Sequence, residues 1–128
     1  MNLLNNMMGV QEQTLHLKAR RLEVLAQNIA NADTPNFKAR DIDFKAVLGS
    51  AQQETAMQAT QSRHFAVAQE PGADGMRYRT PFNTSFDGNT VEMSIEQAQY
   101  GKAAGDYQAT LNFLQNRIGG IRKALRGE

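Results

Sequence analysis

The chain has no cysteine and no tryptophan, three prolines in 128 residues, and an aromatic share of 7%. Without cysteine, neither a disulfide framework nor a thiolate metal site can form. Few large rings leave little to anchor a compact interior, so a single thin-cored unit is expected, drawing part of its stability from other subunits. No run of 18 consecutive apolar residues occurs, which sets a membrane-spanning helix aside. Charge of one sign is missing too: 14 Lys+Arg stand against 13 Asp+Glu, with no block of like charges, so no nucleic-acid or anionic-membrane footprint is present. The opening MNLLNNMMGV carries no basic leader, and Asn5 and Asn6 interrupt its apolar stretch. No cleaved Sec signal is expected, so any export must read something else.

What is present is heptad periodicity near both ends. Met8, Leu15, Leu22 and Ile29 lie seven apart, with Ala19 and Ala26 at the complementary spacing and Glu12 as a polar exception. Asn31, Asp33 and Thr34-Pro35-Asn36 then end the helix, because proline bars the preceding residue from helical geometry. The second pattern is longer. Met93, Tyr100, Tyr107, Leu114 and Ile121 form one series; Ala104, Leu111, Ile118 and Leu125 form the other, with Gln97 its polar member. Asn89 followed by Glu92 has the spacing of a capping box. Gly101, Gly105, Gly119 and Gly120 each cost about 1 kcal/mol relative to alanine in an isolated helix, so this helix should depend on packing. Arg117, Arg122, Lys123 and Arg126 complement its dipole.

Between them, Phe37, Ile42 and Phe44 alternate with Lys38, Arg40, Asp41, Asp43 and Lys45, as in an extended segment with one covered side. Asp41 and Asp43 then share the outward face or enter ion pairs, and a short helix follows from Lys45 to about Ala59. A hairpin within 63–82 is expected to pair Phe65 and Val67 with Met76 and Tyr78 across EPGADG, Arg77 and Arg79 facing solvent. The fold class is therefore mainly α: N- and C-terminal helices paired as an elongated antiparallel coiled-coil hairpin around an irregular middle with one short β-hairpin. Its parts are 1–34, 35–89 and 90–128, in one structural unit.

The segment NIANADTPNFKARDIDF, residues 28–44, resembles the flagellar rod, hook and hook-associated axial family, whose members carry an ANxxTPGY-like motif. Ala30, Asn31, Thr34 and Pro35 match; Phe37 replaces the tyrosine. Asn36 stands where the family has glycine, and asparagine is the next residue to tolerate a left-handed backbone. The ARDIDF continuation and FDGNTVEM, residues 86–93, resemble the family's proximal rod members. The likeness covers roughly residues 8–48 and 86–126. It implies a structural subunit of the basal-body rod that transmits torque, is exported by the flagellar type III apparatus, and spans the periplasm. It also implies contacts with other rod proteins and with the basal-body base, the MS-ring or export-gate adaptor. Neighbouring copies of the chain are expected partners as well, since heterologous contacts that do not close build helical assemblies.

The interaction residues expected on this reading are Met8, Leu15, Leu22, Ile29, Asn31, Thr34, Pro35, Phe37, Met93, Tyr100, Tyr107, Leu111, Leu114, Ile118, Ile121 and Leu125. The termini should order on assembly. Catalysis is not expected. His16 and His64 have no ligand spacing, no nucleophile elbow or phosphate-cradling loop occurs, and Gly101 and Gly105, amid Lys102 and Asp106, form no membrane dimerisation face. No cofactor follows. Another axial rod subunit, or a small coiled-coil adaptor or export chaperone, would carry similar heptads.

Overall fold

The computed structural model describes residues 2–53 and 75–127, with side-chain surroundings for 8–49 and 75–127. Two long helices dominate: α1 over Asn2–Ala30 and α3 over Met93–Arg126. At 1.5 Å per residue they measure about 44 and about 51 Å. They pack antiparallel, Lys18 on α1 reaching Thr110 on α3 and Asn28 reaching Glu96. Between them lie β1 (Arg40–Ile42), α2 (Phe44–Gln53) and β2 (Met76–Tyr78).

The extended segment after α1 shortens to three residues, because Asp43 caps α2 by accepting from the Ala46 amide. Strand β1 pairs antiparallel with β2, Ile42 opposite Met76 and Arg40 opposite Tyr78. The expected second arm, Met76 and Tyr78, is thus a strand whose described partner is β1. Phe65, Val67, His64 and the end of α2 toward Ala59 lie outside the described residues.

The fully buried side chains are Val24, Leu25, Ala39, Ile42 and Ala103, together with polar Asn28, Asn89, Thr90 and Glu96. Nearly half of this core is polar, so it cannot be held by apolar burial alone and must satisfy its hydrogen-bonding groups. Its position corrects the phase of the seams. On α1, Ala19 and Ala26 are exposed and Val24, Leu25 and Asn28 take the interior, since β1 as well as α3 lies on the helix. Near the start of α3, Glu96 and Ala103 face inward in place of Gln97 and Ala104, and Gln97 is exposed.

The capping box is not formed. Glu92 precedes α3 without any side-chain cap bond, and its carboxylate instead accepts from the Phe82 and Asn83 amides. Asn89 is drawn away to the other end of the chain.

Candidate functional site

Asn89 is a clasp between the two segments that carry the family likeness. Its Nδ2 donates to the carbonyls of Asn31 (3.0 Å), Ala32 (2.8 Å) and Thr34 (2.8 Å), capturing the chain as it leaves α1. Its Oδ1 accepts from the Val91 amide two residues on, and the side chain is buried. Around it the segments zip together: Asn36 N–H donates to Asp87 O, Thr90 N–H to Phe37 O, and Ala39 N–H to Thr90 Oγ1. Lys38 Nζ reaches Gly88 O at 2.6 Å. Asn36 has φ of 60°, the only non-glycine in the left-handed region among the described residues. Gly88, at φ of 79°, lies so close that a Cβ there would meet Asn36 Oδ1 at 2.6 Å.

A second polar cluster ties the strands to both long helices. Arg21 grips Asp41 with two bonds, Nε to Oδ1 at 2.9 Å and Nη2 to Oδ2 at 3.1 Å, and also reaches Gln99. Arg79 bridges Asp41 Oδ2 at 3.0 Å and Glu96 Oε1. Asn28 donates to Glu96 Oε2 at 3.1 Å and to Arg40 O, while its own Oδ1 accepts from the Arg40 amide. Arg79 therefore does not face solvent, its side chain being 19% exposed, and Asp41 does not share an outward face with Asp43. The reason is the buried Glu96 carboxylate, which requires a cation. Arg77 remains the outward member and pairs with Asp43 at 3.2 Å. Burial of Asp41 raises its pKa and is the largest single influence. Bonds from Arg21, the Ile42 amide and Arg79, with the Arg21 charge, outweigh it and leave the carboxyl below its ordinary value.

The polar groups of these clusters are bonded to one another and to backbone. Among the described residues no group of His, Asp and Glu could hold a metal. His16 stands on the surface 3.8 Å from Glu12, beside a shallow groove that α1 forms with Met76.

A family model described as "Flagella basal body rod protein" matches residues 8–38. Over 94% of both chains, the sequence is 43% identical to the flagellar basal body rod protein FlgB of Cereibacter sphaeroides. It is 42% identical to FlgB of Salmonella typhimurium over 91% of both chains. With FlgB of Escherichia coli K12 it shares 40% identity over 91% of this chain and 90% of the other. The chain belongs to the FlgB family of flagellar basal body rod proteins.

As a FlgB-family member it is a structural subunit of the flagellar basal-body rod rather than an enzyme, and it assembles with rod proteins and with itself. Its functional site is accordingly surface. Of the residues singled out by heptad and motif, Met8, Leu15, Leu22, Ile29 and Phe37 are half-buried, as are Tyr107, Leu111, Leu114, Ile118 and Ile121. Met93, Tyr100 and Leu125 are exposed, Leu125 at 82%. Thr34 and Pro35 are exposed in the turn, where Thr34 Oγ1 donates to Asn31 Oδ1 and Asn31 Nδ2 to Gln27 O. The structure thus brings Asn31 and Thr34 into the clasp and leaves the hydrophobic series along the arm. Arg21, Asn28, Arg79, Asn89 and Glu96 were not among the sequence candidates as a cluster. No sequence signal marked them, since the heptads place Ile29 and Gln97, not Asn28 and Glu96, at their inward positions.

Proposed function

We propose that this FlgB-family chain sits at the proximal end of the rod. There its two terminal segments, 1–34 and 90–128, built on α1 and α3, carry torque by packing against copies of itself, other rod proteins, and the MS-ring or export-gate adaptor of the basal-body base. The middle, 35–89, fixes how the helices leave the joint. Export proceeds through the flagellar type III apparatus without a cleaved signal, and the assembled chain lies in the periplasm.

The observation that carries this reading is an apolar seam with no complete cover among the described residues. Beyond Ala103 no residue of α3 is fully buried, and Met93, Tyr100, Phe113 and Leu125 remain open to solvent. Gly101, Gly105, Gly119 and Gly120 have nothing within 4 Å of where a Cβ would stand, so another helix can approach the α3 backbone closely there. A half-covered helix pair of this kind gains its remaining burial, and with it the full order of its termini, from neighbours.

Purified basal bodies test the reading. The chain is expected in the rod fraction, and cross-linkers placed on α3 should capture basal-body base components before hook components. Recovery only from the cytoplasm, bound to an export client, would assign an adaptor or chaperone instead. Capture by distal rod or hook proteins alone would remove the proximal placement.

A further inference from the structure

The loop between β2 and α3 displays two phenylalanines to solvent on a backbone that is firmly held. Phe82 is 92% exposed and Phe86 has no cover at all. Yet the Phe82 and Asn83 amides donate to the Glu92 carboxylate, Ser85 N–H donates to Asn89 O, and Gly88 N–H to Ser85 O. A flexible loop could fold its rings inward. This one is fixed with them outward, so little ordering entropy remains to be lost when a partner covers them.

A receptor of matching size exists on the same chain. Lys18, Arg21, Phe44, Ala103 and Asp106 line a cleft of about 150 Å³ between α1 and α3. An apolar cavity of about that volume accepts a benzene ring. Here the Phe44 ring and Ala103 methyl supply an apolar floor, and the Arg21 guanidinium already lies 5.8 Å from the Phe44 centroid, an arrangement that favours aromatic rings next to cations. Charge agrees with this seating. Lys18 Nζ donates to two neutral acceptors, Thr110 Oγ1 and Asp106 O, and Asp87, exposed beside Phe86, follows the ring toward it. Arg21 is already paired with Asp41, so Lys18 is the cation the cleft offers to an incoming carboxylate, with the Asp106 carboxylate at the rim.

Phe86 cannot fill its own cleft. Its loop lies past the end of α1, at the level of the Asn89 clasp on residues 31–34, whereas the cleft lies at Lys18 and Arg21. From Arg21 and Lys18 to the end of α1 at Ala30 is 9 to 12 helical residues, about 14–18 Å along the axis. Resting on the rod-subunit reading, we propose that Phe86 of one copy inserts into the Lys18–Phe44–Ala103 cleft of the next, a head-to-tail contact between copies of this chain. Because donor and receptor are different surfaces, the contact repeats without closing and gives each copy an axial offset.

The absence of native cysteine makes the test direct. Full-length chain carrying Lys102→Cys beside the cleft and Thr84→Cys beside the ring, both exposed positions outside the proposed contact, is expressed in cells that build basal bodies and is treated with a short bis-maleimide. A ladder of covalent multimers is expected in the basal-body fraction. Adding Phe86→Ala should reduce that ladder about tenfold or more, as loss of a buried aromatic anchor does. The monomer's thermal midpoint should stay unchanged, since the ring is fully exposed among the described residues. Chain present in basal bodies without a ladder overturns this contact and leaves the rod reading standing. A single cross-linked band containing a different rod protein also overturns it, since the occupant is then not a second copy. Chain absent from basal bodies overturns both.

Discussion

At the turn end of the hairpin, where residues 21–42 meet 75–103, every fully buried side chain of the described residues is found. Along the open arm, residues 8–18 against 107–126, there is none. The turn end is specified by directional bonds: the Asn89 clasp and the Arg21–Asp41–Arg79–Glu96 cluster each have one geometry that satisfies them. The arm is specified by a half-covered apolar seam and open glycines, which many neighbours could complete. A subunit that must be correct on its own in one place and completed by others elsewhere divides its interactions in this way. Buried polar groups suit the first task because a wrong arrangement leaves them unpaired; apolar seams suit the second because they tolerate exposure.

The sharpest way to break this comparison is to remove the cation shared by two carboxylates. Arg79→Ala leaves Glu96 buried and Asp41 half-paired, and should cost about 3–5 kcal/mol in urea unfolding followed by circular dichroism. A loss below 1 kcal/mol would mean that the cluster does not hold the joint. Next in size is the clasp: Asn89→Ala removes a buried donor shared by three carbonyls and should cost roughly 2–3 kcal/mol, with faster hydrogen exchange at the Asn36 and Thr90 amides.

Glycine separates the two regions by sign. Gly88→Ala must hold φ of 79° and displace Asn36, and should destabilise by about 1–2 kcal/mol. Gly120→Ala, in the arm and with nothing near its Cβ, should stabilise the monomer by roughly 0.5–1 kcal/mol through helix propensity. If both changes destabilise, the arm is packed within the chain after all.

The smallest effect is that of pH. Asp41 titrates below the ordinary range for an aspartate in the folded chain, so its contribution is fully present above the unfolded pKa and is lost as pH falls through the folded one. Stability should therefore decline more steeply below about pH 4 in the wild type than in Asp41→Asn. Parallel curves would remove Asp41 from the account.

Much of the architecture was legible in local pattern. Heptads marked both long helices, Thr34-Pro35 marked the exit from α1, and Asn36 was expected to accept a left-handed backbone, as it does. What local pattern missed shares one cause. Asn89 and Glu92 have capping spacing, but the Asn89 amide is buried and finds its acceptors on carbonyls 55 or more residues away. Gln97 and Ala104 continue the heptad, yet Glu96 and Ala103 face inward because Arg79 arrives from the strand pair to neutralise Glu96.

The sequence by itself determined that there would be two long amphipathic helices, where the first would stop, and, through its motifs, the family. Helix and turn preferences act over a few residues, and that range is enough to set them. Only the tertiary structure decided which face of each helix turns inward and that the two family motifs lock onto each other. It also decided that Phe82 and Phe86 would be left outside. Those outcomes depend on charge and hydrogen-bond partners brought together from distant parts of the chain, and no local spacing encodes them.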